Sequence, residues 1–228
     1  GEPCDPGLLD LLEDLVNKNL IDSTFHYEMP NQIAHHPKIY EVEKRNIGLD
    51  IARQKGCTHH MSMDTDEYYH LSEFKYMKDI IDKENYDGGA CKLYTYFKDP
   101  TFRLEKISDY YVSTIFRIEP DLDYIMHSYP VNVDPTRRYP LKYNNLKVFN
   151  ENEVNMHHMS FVRKDLMKKF RNTSADSVYE YRHMLIGYME KYANYQVGQE
   201  IPLFKPLEPG EERETTIKVE NYFNVPKF

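Results

Sequence analysis

The chain has 228 residues, with 37 acidic against 29 basic side chains and a net charge of -8. This length suits one domain, or one domain with a small appendage, and the acidic balance disfavours a general role in nucleic-acid binding. Three cysteines without a Cys-x-x-Cys spacing indicate reduced thiols and a cytoplasmic location. No apolar run reaches the roughly 18 residues that a membrane helix needs, so no membrane span is predicted.

The first half of the chain alternates between helical and strand-like patterns. Leucines recur on one face of a first helix, with Pro6 as its first helical residue. A second helix is stopped by Gly56, and an apolar strand that leads to Asp64 follows it. The predicted helices cover 6–19, 41–55 and 71–84, and the predicted strands cover 21–27, 57–63, 90–97 and 110–117.

The second half is less regular. The stretch 121–147 is rich in Pro, Tyr and Asn, and a strand at 154–161 follows it. Two helices are predicted at 164–171 and 176–195, then a Pro- and Glu-rich tail with a short strand at 215–219. The alternation of strands and helices in the first half predicts an α/β sheet with crossover helices. Gly88-Gly89 is interpreted as a turn or as a strand that another element approaches closely.

An acidic cluster closes the strand that precedes residue 64. Side chains two residues apart on a strand point to the same side, so Asp64 and Asp66 can face one divalent cation. Carboxylate oxygens suit Mg2+ or Mn2+, which often take substrate phosphates as further ligands. The cluster also falls where open α/β sheets bind ligands, outside the carboxyl ends of the strands. The alternative is a solvated turn that caps the next helix.

Two segments carry a resemblance to a known family. The segment EKRNIGLDIA at 43–52, a Gly break and an apolar strand ending in DTDE at 64–67 resemble the GT-A glycosyltransferases of the family 2 type. The segment NMHHMSFVRKD at 155–165 is similar to their C-terminal part, where a His often completes the metal or diphosphate site. The resemblance covers roughly residues 5–172.

The resemblance implies a fold and a domain division. The expected fold is a GT-A (Rossmann-like) mixed sheet flanked by helices, with a nucleotide-sugar half at about 1–70 and an acceptor half at about 71–197. Residues 198–228 are expected to form a C-terminal extension. A GT-A domain normally opens with a strand, whereas residues 1–6 look like a loop that enters a helix directly. We therefore hypothesise that this sequence lacks the first N-terminal strands, and with them some residues that hold the nucleotide base.

The resemblance also assigns donor-site roles. It implies a metal-dependent transferase that moves a sugar from a nucleoside-diphosphate donor to a hydroxyl of a glycan or glycoconjugate acceptor, with Mn2+ or Mg2+ as cofactor. His157 and His158 lie on a predicted strand and face opposite ways, so only one can join the cation, and His158 is favoured. Arg side chains match phosphate oxygens in a fork geometry. The expected metal ligands are Asp64, Asp66, His158 and His157, and the expected donor-binding residues are Arg45, Asn46, Asp64 and Arg163.

The catalytic base is less well defined by the sequence. An inverting reaction needs a carboxylate near the acceptor hydroxyl, whereas a retaining reaction does not. Asp134, Glu67 and Asp87 are the candidates, and Glu67 has the alternative roles of binding the acceptor or capping the next helix. Arg137 and its neighbour are interpreted either as part of a flexible lid or as a basic surface loop. Two other functions remain open, namely a non-catalytic nucleotide- or sugar-binding module and a metal-dependent phosphohydrolase.

Overall fold

The computed structural model describes residues 6–28, 36–171, 180–203, 206–207 and 212–227. Within these ranges the helices are α1 Pro6–Asn17, α2 Pro37–Gln54, α3 Leu71–Lys83, α4 Leu166–Arg171 and α5 Leu185–Asn194, with 3-10 turns at Pro135–Arg137 and Arg182–Met184. The strands are β1 His59–His60, β2 Glu67–Tyr68, β3 Gly88–Phe97, β4 Phe102–Leu104, β5 Tyr111–Arg117, β6 Leu146–Val148, β7 Asn155–Phe161 and β8 Thr216–Lys218.

A mixed sheet is centred on β3. This strand pairs antiparallel with β5 on one side and parallel with β6 and β7 on the other. The outer strands β1 and β2 pair antiparallel with β5 and β7, respectively. Strand β4 pairs with the far end of β3 and with β8. The predicted α/β class with a mixed sheet flanked by helices is therefore confirmed at this level.

Helices cover both faces of the sheet. Adjacent residues of β5 point to opposite faces, as strand geometry requires. Ile115 packs in a cluster with Met77 and Ile81 of α3, whereas Phe116 packs in a separate cluster with Leu49 of α2. Because both faces are covered, β3 carries an almost continuous apolar sequence instead of a strict alternation.

The helix boundaries follow local capping chemistry. Helix α2 begins at Pro37, earlier than the predicted residue 41, because the His36 side chain accepts a hydrogen bond from the Lys38 backbone N–H and Pro occupies the first turn. Helix α3 ends where Asn85 adopts the left-handed conformation with φ of 55°. Of the helix predicted at 176–195, residues 176–179 lie outside the described residues, and α5 covers Leu185–Asn194.

Two predicted strands are shorter or missing. The strand predicted at 57–63 is realised only as β1 His59–His60, at an edge of the sheet where β5 is its partner. The segment 21–27 is described but forms no strand. A strand pattern alone does not form a strand, because the backbone groups also need a neighbouring strand to bond.

The tail packs onto the domain. Strand β8 extends the sheet by pairing with β4, and Val225 is buried in a cluster with Tyr96 and Met159. The segment predicted as a C-terminal extension therefore contributes to the core in its described part. Along the described ranges, no helix combines the length and apolar character that crossing a bilayer requires.

His60 contributes a pH-dependent part of the folding free energy. Burial, with Arg45 and Arg53 nearby, lowers the pKa of His60 from 6.5 to about 4. Between these values the unfolded chain binds a proton that the folded chain does not, so this contribution is full above pH 6.5 and is lost as the pH falls toward 4. We expect this group alone to cost about 2 kcal/mol of stability between pH 7.5 and pH 5.

Urea unfolding followed by far-UV circular dichroism at both pH values measures this loss. The variant His60→Phe keeps a ring beside Phe116, whose centroid lies 5.5 Å from that of His60, and removes the titrating group. Its stability should change by about 2 kcal/mol less than that of the wild type over the same interval. Identical pH dependence in the two proteins would contradict the assignment.

Candidate functional site

Pairing of β2 with β7 brings an acidic and an imidazole side chain together. Glu67 lies opposite His158 in this antiparallel pair, and the backbone N–H of Met159 donates to the carbonyl of Asp66 at 2.8 Å. This register places Asp66 Oδ1 3.8 Å from His158 Nε2. The two residues are 92 positions apart in the chain, so only the sheet can bring them together.

Two cations neutralise Asp66 from the other side. Arg163 Nη2 donates to Asp66 Oδ2 at 2.5 Å, and Lys169 Nζ lies 3.8 Å from the same oxygen. Burial acts to raise the pKa of Asp66, but the electrostatic effects of His158, Lys169 and Arg163 together outweigh it and hold the pKa below its ordinary range. Burial and repulsion by Arg163 lower the pKa of Lys169. The site therefore keeps an ionised carboxylate beside cations that suit phosphate.

The donor set of Asp66 and His158 fits a divalent metal ion. Burial lowers the pKa of His158 to about 4, against the opposing effect of Asp66, so that its imidazole is neutral at pH 7. A carboxylate oxygen and a neutral imidazole nitrogen are both ligands for Mn2+. In the part of the chain that the structure describes, no group of three or more His, Cys, Asp and Glu side chains forms a metal cluster. Other ligands would have to come from substrate or water, as is common for Mg2+ bound with phosphates.

His157 does not lie at this site with Asp66 and His158. It faces the opposite side of β7, where its Nδ1 lies 2.8 Å from the Tyr96 hydroxyl. Its ring packs against those of His70 and Phe223, with centroids 4.9 Å away in each case. Burial lowers the pKa of His157 to about 4, so it behaves as a neutral core residue. The alternation along a strand separates the two histidines, as predicted.

Glu67 is engaged in a buried ion pair instead of facing a substrate. Arg137 binds both of its oxygens, at 2.5 Å to Oε1 and 3.0 Å to Oε2. The Asp64 backbone N–H also donates to Oε2, at 3.1 Å. Burial raises the pKa of Glu67, although Arg137 opposes this effect. With both oxygens occupied and 4 % of the residue exposed, Glu67 has no oxygen available for a substrate hydroxyl, which removes it as a base.

Asp64 is more exposed than Asp66 and differs from it in its partners. Arg137 Nη2 donates to Asp64 Oδ2 at 2.6 Å, and Arg45 Nη2 lies 3.7 Å from Oδ1. The Arg45 guanidinium also donates to the Ser62 hydroxyl, and its buried Nε has no hydrogen-bond partner among the described residues. Asp64 and Arg45 thus lie beside Asp66 in positions that could contact a ligand.

Asn46 links helix α2 to the backbone of Tyr124. Its Nδ2 donates to the Tyr124 carbonyl at 3.1 Å, and its Oδ1 accepts from the Tyr124 N–H at 2.8 Å. Both polar atoms of the amide are therefore committed to the backbone of another segment. Asn46 anchors the 121–147 stretch to α2 and does not have an amide free for the donor, contrary to its prediction as a donor-binding residue.

Of the three candidate bases, Asp134 faces the same cavity as Asp66 and His158. Its Oδ1 accepts hydrogen bonds from the Thr136 N–H and hydroxyl, both at 2.7 Å, and within the described ranges Oδ2 accepts none. Asp134 therefore has one carboxylate oxygen held in place and one available. The cavity has a volume of about 740 Å³, and its lining also includes Asp64, Arg45, Arg163, Lys169 and Tyr110.

Asp87 lies at the other end of the sheet. It directly precedes β3, and Thr95, the strand neighbour of His158, lies eight positions further along the chain. This spacing corresponds to about 26 Å along a strand. Its Oδ2 accepts the backbone N–H groups of Tyr143 and Asn145 at 2.7 and 3.0 Å. Asp87 thus orders the start of β6 and does not line the cavity that holds Asp66 and His158.

Of two further cavities, one borders this site and the other lies apart from it. A cavity of about 440 Å³ adjoins it and shares Glu41, Arg45, Met63 and Asp64 with the larger one. A third, of about 910 Å³, lies between α5 and the tail and shares none of its lining residues with the site. The cavity of about 740 Å³ holds Asp66, Asp134 and His158, and we take that cavity as the candidate site.

Sequence reasoning missed two cations of the site. Lys169 lies on the short helix α4 and reaches back to Asp66 and to the Ser160 hydroxyl. Arg137, interpreted as part of a lid or of a basic loop, is buried with 6 % of its surface exposed. The position of Arg137 directly after Asp-Pro-Thr is the sequence feature from which its role could have been predicted, whereas no local pattern distinguishes Lys169 from its neighbours.

Comparisons with protein-family models, curated proteins and solved structures find no match to this chain.

Proposed function

We propose that this protein is a metal-dependent glycosyltransferase of the GT-A type, which transfers a sugar from a nucleoside-diphosphate donor to a hydroxyl of a carbohydrate or glycoconjugate. The observation that carries the proposal is the 3.8 Å approach of Asp66 Oδ1 to His158 Nε2 in a cavity that also holds Arg163 and Lys169. A carboxylate, a neutral imidazole and adjacent cations form a donor set for a cation bound together with a diphosphate.

The residues divide the donor-binding task between them. Asp66 and His158 would hold Mn2+ or Mg2+, and a bound cation of this kind supplies charge stabilisation for a departing diphosphate. Arg163 and Lys169 lie beside Asp66 and add positive charge where the leaving group develops negative charge. Arg45 and Asp64 lie at the junction with the 440 Å³ cavity, where they would contact the nucleoside part of the donor.

Asp134 is proposed as the base of an inverting reaction. Its Oδ1 is held by Thr136, which leaves Oδ2 for the acceptor hydroxyl. A carboxylate in this position accepts the hydroxyl proton as the acceptor oxygen attacks the sugar. Asp134 and Tyr110 both line the cavity, and the acceptor would bind beside them.

Calorimetric titration of nucleoside diphosphates and their sugars, with and without Mn2+, tests the donor site. Wild-type protein should bind one of the nucleotides tested more tightly in the presence of Mn2+ than in its absence. In Asp66→Ala the affinity in Mn2+ should fall about 100-fold, equivalent to about 3 kcal/mol. Weak binding without metal should persist in the variant, because Arg163 and Lys169 lose the carboxylate that neutralises them.

The control is Asp121→Ala, which removes an exposed carboxylate that does not line the cavity. It should bind nucleotide like the wild type. Binding without turnover of any sugar nucleotide would favour a non-catalytic binding module, and release of phosphate from the nucleotide by water alone would favour a phosphohydrolase. No binding by the wild type in either cation would contradict the proposed function.

A further inference from the structure

Arg137 joins two segments that each carry a carboxylate of the candidate site. Its guanidinium binds Glu67 through two hydrogen bonds, of 2.5 and 3.0 Å, and Asp64 through a third, of 2.6 Å. Asp64 and Glu67 lie on either side of Asp66 in the chain, and Glu67 is the first residue of β2. Both members of the Arg137–Glu67 pair are buried, with 7 % and 3 % of their side chains exposed.

The same residue is rigidly connected to Asp134. The Arg137 backbone N–H donates to the Asp134 carbonyl at 2.9 Å and so closes the 3-10 turn Pro135–Arg137. Thr136, within this turn, is fully buried and donates twice to the Asp134 carboxylate. Asp134 is therefore held by the turn, and the turn is held by Arg137 against the 64–67 segment.

The chemistry of this link requires an arginine. A planar guanidinium can bond two oxygens of one carboxylate and still donate to another, whereas an ammonium is a single point charge. Its positive charge also offsets the repulsion that Asp64 and Glu67 would otherwise exert on each other. Burial favours removal of the charge from Arg137, but the two carboxylates outweigh burial and raise its pKa, so it stays protonated.

We propose that Arg137 is a positioning residue, which fixes the separation between the metal-binding carboxylate Asp66 and the acceptor base Asp134. This inference rests on the proposed function for its effect on turnover. The predicted structural effect, immobilisation of the 64–67 turn by Arg137, is independent of that function. Loss of the link displaces a base relative to the donor, and a displacement of about 1 Å can lower a rate about 100-fold.

A single fluorescent probe can follow the turn, because the chain contains no Trp. Met63 precedes the turn, has 49 % of its surface exposed and lines the cavity, so Met63→Trp places one indole beside the site. In this background Arg137→Met should raise the acrylamide quenching constant and lower the anisotropy of the indole. Its kcat should fall about 100-fold, more than its nucleotide affinity changes. Arg137→Lys, which keeps the charge without the fork, should give intermediate values.

Two further variants keep the experiment interpretable. Arg137→Met leaves Glu67 buried and unpaired, which can prevent folding, so the double variant Glu67→Gln/Arg137→Met removes the pair without leaving a charge. It should fold and show the same mobile indole and low kcat. Arg138→Met is the matched control, since Arg138 donates to the carbonyls of His127 and Val133 and not to the 64–67 turn. In the Met63→Trp background it should show the same quenching as Met63→Trp alone.

The outcomes separate this inference from the proposed function. Unchanged quenching in folded Arg137 variants would overturn the positioning role, whatever the nucleotide does. A mobile indole with wild-type kcat would also overturn it, because the turn would then move without affecting the reaction. Failure of the wild type to bind any nucleotide in Mn2+ would instead contradict the proposed function. The quenching measurement would still decide whether Arg137 immobilises the turn.

Discussion

Replacing Asp134 by Asn is expected to lower kcat for sugar transfer by about 10²- to 10⁴-fold, the range that a general base contributes. The amide keeps the size of the side chain and an oxygen that can accept the two hydrogen bonds from Thr136. Affinity for the nucleotide should change little, because Arg163, Lys169, Asp66 and His158 are unaltered. Initial rates at saturating donor and acceptor, together with calorimetry of the nucleotide, measure both quantities.

Asp121→Asn is the control for this experiment, because it changes the same residue type at an exposed position that does not line the cavity. It should leave kcat and nucleotide affinity at wild-type values. A variant Asp134→Asn that retains full activity would contradict an inverting reaction with Asp134 as base. Such a result would agree with a retaining reaction, which needs no base at the acceptor.

Gly89→Ala is expected to destabilise the fold by about 3 kcal/mol, because the added methyl group meets a packed environment. A Cβ at this position would lie 2.5 Å from the Thr114 hydroxyl and 2.8 Å from a ring carbon of Phe149. Both neighbours are almost fully buried, with 1 % of each exposed. The Gly88-Gly89 pair is therefore a strand that another element approaches closely, which was one of the two interpretations of the sequence. Urea unfolding followed by circular dichroism measures the effect.

Gly187→Ala provides the opposite case within the same protein. Gly187 lies in α5, and among the described residues no atom outside its chain neighbours and the adjacent helix backbone lies within 4 Å of a Cβ built on it. The substitution should stabilise the fold by about 0.5 kcal/mol, because Ala has the higher helix propensity. Both substitutions reduce the conformational entropy of the unfolded chain by a similar amount, so this contribution largely cancels when the two effects are compared. Similar effects of both substitutions would contradict the packing inferred around β3.

Local patterns in the sequence predicted how the two histidines of β7 are oriented. The alternation of side chains along a strand predicted that His157 and His158 face opposite ways, and they do. The orientation of the histidines depends on the geometry of one strand, which neighbouring residues define. The same geometry did not place Asp66, because the predicted strand ends at His60 in the structure and Asp66 lies in a turn.

Other site residues depended on pairing between distant segments. Sequence spacing offered Asp134, Glu67 and Asp87 equally as bases, but the sheet places Asp87 at the far end of β3 and buries Glu67 against Arg137. The register of β2 against β7 decided that His158 meets Asp66. Such pairings are decided by hydrogen-bond register and by the need to neutralise buried charge, and neither leaves a local sequence pattern.

The sequence by itself thus determined the α/β class, the helices in outline and the central strands of the sheet. The tertiary structure alone decided which cations face Asp66, which of the three candidate carboxylates shares its cavity and which polar residues serve the scaffold. The physical reason is the range of the interactions. Backbone periodicity acts over a few residues, whereas Arg137 reaches Glu67 across 70 positions and Arg163 reaches Asp66 across 97.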